Sequence, residues 1–292
     1  MPELPEVETV RGTLERLVGG KVISGGSVSQ SELRCPMPAN LLQRLAGQRI
    51  QSVKRRGKFL LVGLDSRETL IVHLGMTGRI IVQTGTTTFE PGFYDRGARR
   101  FVSHDHLELR FKDGSRLFYN DSRRFGFIDL VRPGRLRFDP RMRALGPEPL
   151  SNDFSPTYLA ACFAGRKTSL KAALLCQETV AGLGNIYVCE ALHRARLSPR
   201  RAARTLVGGN GAPTMRLDRL IAAIRSVLQE AVAAGEQAFL RAERCEPEAS
   251  PGVRFRVYDR EGEPCLNAGC KGTIERSIQG GRSTFFCRRC QR

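Results

Sequence analysis

The chain has 292 residues, 41% hydrophobic and 26% charged, an ordinary globular balance long enough for two domains with their own cores and no need of disulfide staples. Lys and Arg number 47 against 29 Asp and Glu, a formal net charge of +18 that calls for a polyanionic partner. No stretch approaches the roughly 18 uncharged apolar residues of a membrane span, so the expected polyanion is nucleic acid and not a membrane.

Met1 is followed at once by Pro2, Glu3 and Glu6 in place of a basic stretch and an apolar core, so no secretion signal is read and a reducing cytoplasm is expected. From Pro5 to Leu17, Val7, Val10, Leu14 and Leu17 recur at helical spacing, with Pro5 in the first turn and Gly19-Gly20 as the stop. Short runs rich in branched and aromatic residues follow at Lys58–Leu64, Thr69–His73, Arg79–Val82, Leu107–Phe111, Arg116–Tyr119 and Gly126–Val131, separated by turns such as Asp113-Gly114. Short strands without intervening helices predict an antiparallel sandwich or barrel over the first part of the chain.

Between Pro133 and Ser155 the pattern lapses into Pro, Gly and charge, and beyond it the periodicity turns helical in Tyr158–Phe163 and Leu170–Leu175. Leu217, Leu220, Ile221, Ile224, Leu228 and Val232 form the apolar stripe of a helix over Met215–Ala233, with Gly235 as its stop. Glu236–Pro251 reads as an exposed loop. The predicted division is residues 1–133, a linker and helical domain over 134–235, the loop region 236–255, and a C-terminal module over 256–292.

Nine cysteines are an odd count, and four of them cluster at the C-terminus as Cys265-x4-Cys270-x16-Cys287-x2-Cys290. Four thiolates close a tetrahedral zinc shell with no open position for water, which predicts one structural ion holding a β-hairpin module together. Lys271, Arg276, Arg282, Arg288 and Arg289 are interleaved with them and suit phosphate. Cys35, Cys162, Cys176 and Cys189 read as buried apolar fillers.

Met1-Pro2-Glu3-Leu4-Pro5-Glu6 alone is consistent with acidic residues favouring a helix N-terminus. Removal of Met1 would leave Pro2 as a secondary amine beside the positive end of that helix, where a neutral amine is a nucleophile. Here the chain resembles the bacterial formamidopyrimidine-DNA glycosylases. The resemblance runs in order through Arg55-Arg56-Gly57-Lys58, His73-Leu74-Gly75-Met76-Thr77-Gly78, His104-Asp105-His106, Asp121-Ser122-Arg123-Arg124-Phe125-Gly126, Leu145-Gly146-Pro147-Glu148-Pro149-Leu150, Gly182-Leu183-Gly184-Asn185-Ile186-Tyr187 and Gly262-Glu263-Pro264-Cys265.

The resemblance implies an α+β, multidomain fold: an N-terminal antiparallel β-sandwich with one N-terminal helix, a helix-two-turn-helix domain and a C-terminal β-hairpin zinc finger, gripping DNA between its halves. It implies a bifunctional glycosylase and abasic-site lyase acting on double-stranded DNA that contains an oxidised purine, 8-oxoguanine or a formamidopyrimidine. It also implies a monomer in a bacterial cytoplasm, associated with the nucleoid.

By the same match Pro2 is the nucleophile, Glu3 the general acid and base with Glu6 in support, Lys58 an aid to β-elimination, and Arg282 the phosphate clamp of δ-elimination. Met76, Arg123 and Phe125 match a wedge that fills the gap left by an extruded base, although Met76 and Phe125 alone would read as core. His104, Arg166, Lys167, Lys171 and Asn185 match positions that hold the DNA backbone.

Two departures stand out. The stretch Gly235-Glu236-Gln237-Ala238-Phe239-Leu240-Arg241-Ala242 lacks the small hydroxyl residues that the resemblance places over the flipped base, and the first cysteine pair is spaced by four residues where two is commoner. Two rival readings are an endonuclease VIII-like glycosylase for oxidised pyrimidines, whose start carries Gly in place of Leu4, and a zinc protein that only binds DNA.

Overall fold

In the computed structural model, residues 2–29, 33–91, 102–244 and 254–292 are described. Helix α1 (Leu4–Val18) begins at a reciprocal cap in which the Glu3 side chain meets the Glu6 backbone while Glu3 N–H donates to Glu6 Oε2 at 2.8 Å. Pro5 lies in its first turn, and Val7, Val10, Leu14 and Val18 bury the stripe. The acidic start therefore builds the helix as well as any chemistry.

Helix α1 packs on a four-stranded sheet ordered β2 (Ile50–Arg56), β3 (Phe59–Leu64), β4 (Thr69–His73), β9 (Phe127–Val131). Glu15 Oε2 accepts Val53 N–H at 2.6 Å, and the Glu8 carboxylate bridges Arg11 at 2.6 Å and Arg55 at 2.7 Å. A second sheet is ordered β1 (Ile23–Val28), β7 (Asp105–Phe111), β8 (Arg116–Asn120), β5 (Arg79–Thr84), β6 (Thr87–Phe89), and helix α2 (Leu41–Leu45) lies on β1. All these pairs are antiparallel, and one apolar core takes Val53, Leu60 and Ile128 from the first sheet with Ile80, Leu107 and Leu109 from the second. The expected sandwich is the observed fold.

Strands β1, β2 and β6 were not expected. Strand β1 reads Ile-Ser-Gly-Gly-Ser-Val, which carries little β-propensity, yet a side chain at Gly26 would lie 2.1 Å from the Glu108 carbonyl oxygen, so the glycine permits the close pairing with β7. In β2 a register shift between Ile50 and Ser52 sets the buried Ile50 and Val53 three residues apart, and the charged run Lys54-Arg55-Arg56 follows, so no alternation shows. Helix α3 (Pro140–Arg143) closes this part of the chain.

Helices α4 (Pro156–Phe163) and α5 (Leu170–Leu175) start at Ser155 and Ser169, whose hydroxyls accept Tyr158 and Ala172 N–H groups. Helix α6 (Asn185–Arg194) follows, then α7 (Met215–Glu243) and the hairpin β10 (Ile274–Gln279) and β11 (Arg282–Cys287). The chain divides into two compact units, residues 1–143 with 232–252, and residues 144–231 with 253–292. Among the described residues no helix is long and apolar enough to cross a membrane.

Two expectations are corrected. Helix α7 runs through Gly235 to Glu243: an interior glycine costs only about 1 kcal/mol, and Phe239, 8% exposed, packs 6.2 Å from Phe89 and under the Arg16 guanidinium, which also pairs with Glu236. Of the expected loop, 236–243 is thus helical and 245–251 lies outside the described residues. Among the presumed filler cysteines only Cys189 is buried; Cys35 is exposed and Cys162 and Cys176 are half-buried.

In the second unit the buried Glu190 carboxylate on α6 accepts backbone N–H groups of Arg256, Val257 and Tyr258 at 2.8–3.0 Å, tying the chain entering the hairpin module to the helix. Glu190→Gln would oppose one of these donors with an amide NH2, and thermal unfolding is expected to show a loss of about 2–3 kcal/mol.

Candidate active site

Pro2 is buried at the positive end of α1, followed by Glu3 at 2% and Glu6 at 7% exposure. The Glu8–Arg55 pair binds this helix to β2, and Arg55 Nη1 donates to the Gly57 carbonyl at 2.9 Å in the turn that presents Lys58. Lys58 is 8% exposed, so the residue is buried in this unit and is not the fully solvated strand-end lysine.

Lys58 acts on a neighbour that sequence reasoning left without a role. His73 ends β4, its ring stacked 5.5 Å from Phe127 and tilted 4.9 Å from Phe59, with Nδ1 accepting Gly75 N–H at 3.1 Å. Burial first, then the Lys58 and Arg34 charges, push its pKa down to about 4, so the ring is neutral at pH 7 and stays an acceptor for the turn beyond.

That turn carries Met76, and a second turn carries Arg123 and Phe125. Met76 is 39% and Phe125 44% exposed, and the Arg123 guanidinium lies 4.7 Å over the Phe125 ring, so all three are surface groups and the core reading of Met76 and Phe125 fails. The turns touch: Gly75 has φ +62°, and a Cβ there would lie 2.4 Å from the Phe125 carbonyl carbon. His104 ends a short 3-10 turn, half-exposed, its carbonyl accepting Asp121 N–H at 3.0 Å.

In the second unit Arg282 is exposed, just after the Gly280-Gly281 turn of the hairpin, where both glycines have positive φ. Asn185, the first residue of α6, donates to the Ser283 carbonyl at 2.9 Å. Arg166 is half-exposed and donates to the Thr168 and Thr179 hydroxyls, while Lys167 is exposed. Lys171 departs from expectation: it is 1% exposed and its ammonium donates to Ser283 O at 2.9 Å and Thr284 Oγ1 at 2.6 Å, so it supports the hairpin from within and is not a surface phosphate contact.

The four cysteine sulfurs all lie within 4.8 Å of one another, with Cys265–Cys290 and Cys270–Cys287 each at 3.7 Å. Four sulfurs about 2.3 Å from a tetrahedral zinc would stand about 3.8 Å apart, whereas a disulfide requires about 2.05 Å. Asn267 Nδ2 and Gly272 N–H point at the Cys290 and Cys270 sulfurs at 3.3 and 3.4 Å, donors that favour thiolates. The donor set fits one structural zinc ion, and the longer first knuckle does not disturb it.

Three family descriptions match in order: formamidopyrimidine-DNA glycosylase N-terminal domain over residues 1–128, formamidopyrimidine-DNA glycosylase H2TH domain over 145–241, and zinc finger found in FPG and IleRS over 262–292. The chain is 50% identical to the formamidopyrimidine-DNA glycosylase of Azorhizobium caulinodans and 47% to that of Rhodopseudomonas palustris, with 100% of each chain covered. The chain belongs to the formamidopyrimidine-DNA glycosylase family.

Solved family structures agree over nearly the whole length. The Lactococcus lactis enzyme bound to DNA with an abasic site has a TM-score of 0.80 at 31% identity, covering 99% of both chains. The Thermus thermophilus protein has a TM-score of 0.77 at 37% identity, covering 99% of this chain and 98% of its own. A third family structure holds DNA containing carbocyclic 8-oxoguanine, at a TM-score of 0.79 and 31% identity, covering 100% of both chains.

Asp121, Thr77, Tyr119 and Glu190 were missed as functional supports, although Asp121 and Thr77 sit inside the motifs that carry the family resemblance. The one available signal was an acidic residue inside a Gly- and Arg-rich motif; the burial that requires several donors shows only in the fold.

Two outcomes are expected. Elemental analysis should find about one zinc per chain, and Cys287→Ser or chelation should remove it and expose the remaining thiols to a thiol reagent, because the metal closes the module. For His73, the folded pKa of about 4 lies below the ordinary value near 6.5, so its contribution to stability is full above pH 6.5 and is lost as pH falls toward 4. NMR titration should show a ring still neutral at pH 5.5, and His73→Phe should flatten the loss of stability over that window by roughly 3 kcal/mol.

Proposed function

We propose that the protein is a bifunctional DNA glycosylase and abasic-site lyase that removes oxidised purines from double-stranded DNA through the amine of Pro2. The observation that carries this reading is the placing of Pro2 and Glu3, both buried, at the start of α1 in the same unit as the buried Lys58. A DNA-binding zinc protein without chemistry needs none of these groups buried, and an oxidised-pyrimidine enzyme lacks the support that the full-length relatives give the purine reading.

With Met1 removed, the Pro2 nitrogen attacks the sugar carbon bearing the damaged base, the glycosidic bond breaks, and the base leaves with the bonding pair and takes a proton. Glu3 protonates the ring oxygen, the sugar opens, and the carbon–nitrogen bond becomes an iminium. The iminium acidifies the adjacent sugar hydrogen, its loss expels the 3′ phosphate, a second elimination expels the 5′ phosphate, and water releases the proline. Lys58 moves a proton and holds a phosphate at β-elimination, and Arg282 clamps phosphate at δ-elimination.

Met76, Arg123 and Phe125 fill the space of the extruded base, and His104, Arg166, Lys167 and Asn185 hold the backbone. The cysteines would hold zinc, which keeps the Arg282 hairpin folded and takes no part in the reaction. In this reading residues 1–133 carry the catalysis, 134–235 and the zinc module 256–292 bind DNA, and the part of 236–255 that follows α7 covers the lesion; the protein acts as a monomer in a bacterial cytoplasm, at the nucleoid.

Glu3→Gln is expected to slow single-turnover excision of 8-oxoguanine opposite cytosine by roughly 10²- to 10⁴-fold with little change in affinity. An uncleaved N-terminal extension should abolish it. Faster release of an oxidised pyrimidine than of 8-oxoguanine by the native chain would move the assignment to the pyrimidine enzymes.

A further inference from the structure

The two turns that carry Met76, Arg123 and Phe125 are joined by a side chain the mechanism does not use. Asp121 is fully buried. Its Oδ1 accepts the Thr77 hydroxyl and, at 3.3 Å, the Arg123 N–H; its Oδ2 accepts the Gly126 N–H at 2.8 Å and the Tyr119 hydroxyl at 3.4 Å. Thr77 Oγ1 accepts the same Arg123 N–H at 3.2 Å, so the hydroxyl bridges the turns directly.

The Asp121 backbone is held as well, its N–H by the His104 carbonyl at 3.0 Å and its carbonyl by His106 Nε2 at 2.8 Å. Arg124, between the two exposed wedge residues, sits in the left-handed region at φ +56°, a conformation that persists where neighbours impose it. Burying a carboxylate is costly unless donors match it, and here every named donor comes from one of the two turns or from the strand beneath them. A buried side chain that accepts four hydrogen bonds at the junction of two surface turns, beneath three exposed side chains, fixes their geometry.

We propose that Asp121, linked through Thr77, is the positioning residue of the wedge: it presets both turns so that Met76, Arg123 and Phe125 enter the duplex without first being ordered. The inference rests on the assignment of those three side chains to the wedge. It predicts that the hydroxyl of Thr77, which touches no DNA in this account, governs the rate of base extrusion.

The test uses the full-length protein and a duplex with 8-oxoguanine beside 2-aminopurine, whose fluorescence rises when it unstacks, at a temperature where circular dichroism shows every variant folded. Thr77→Val should slow the fluorescence rise, and lower the ratio of 8-oxoguanine excision to cleavage at a preformed abasic site, each by roughly tenfold. Thr77→Ser should restore both, and Asp121→Asn should show a larger loss; the Thr77 pair decides the matter even if Asp121→Asn does not fold. A rise in the native protein that Thr77→Val leaves unaltered overturns the inference while the wedge stands. No rise in the native protein overturns the wedge assignment itself.

Discussion

The Glu8–Arg55 ion pair is the constraint on which the proposed amino-terminal chemistry depends. A nucleophile at the second residue of a chain would ordinarily sit on a fraying end, where ordering it costs more than its contacts return. Glu8 prevents this by joining α1 to the hairpin that presents Lys58. Burial pushes its carboxyl pKa up, but hydrogen bonds and charge from Arg55 and Arg11 outweigh burial and hold it below the usual range, so Glu8 is ionised and paired at any working pH. The Glu3–Glu6 cap then orders the last turn toward Pro2. The same acidic residues that look like helix punctuation hold Pro2, the proposed nucleophile, in a fixed place.

The second unit solves a parallel problem for Arg282. A two-stranded hairpin cannot bury enough apolar surface to stand alone. It is held by the zinc cysteines at its base, by Glu190 at the entry through Arg256–Tyr258, and by Lys171 and Asn185, both of which donate to the Ser283 carbonyl next to Arg282. Lys171 does so from the interior, at 1% exposure. Removing it would leave the carbonyl of Ser283 with the Asn185 amide and loosen the residue proposed to clamp phosphate.

Much of this was legible in the residues, and the failures have physical reasons. Short runs of branched and aromatic residues between turns located six strands, helical spacing located α1, α4, α5 and the start of α7, and the paired cysteines announced zinc. Strand β1 was hidden because its glycines serve close approach and not propensity, and the end of α7 because Phe239 packing overrides Gly235. Lys171 could not be told from a surface lysine because its partners lie far along the chain, in Ser283 and Thr284. Asp121 and His73 were visible as motif letters only; their roles come from tertiary hydrogen bonds and burial that no local pattern encodes. Met76 and Phe125 show the reverse case, residue types that composition sends to the core and that the two turns hold at the surface.

The proposed chemistry turns on the Pro2 nitrogen forming the covalent intermediate. Incubating the protein with a duplex carrying 8-oxoguanine opposite cytosine, adding borohydride to reduce any iminium, and mapping the adduct by peptide mass spectrometry tests it most directly. A stable adduct on Pro2 is expected, in a chain that has lost Met1. An adduct on Lys58 or another amine, or none from a protein with a confirmed free Pro2 and tight DNA binding, would contradict it.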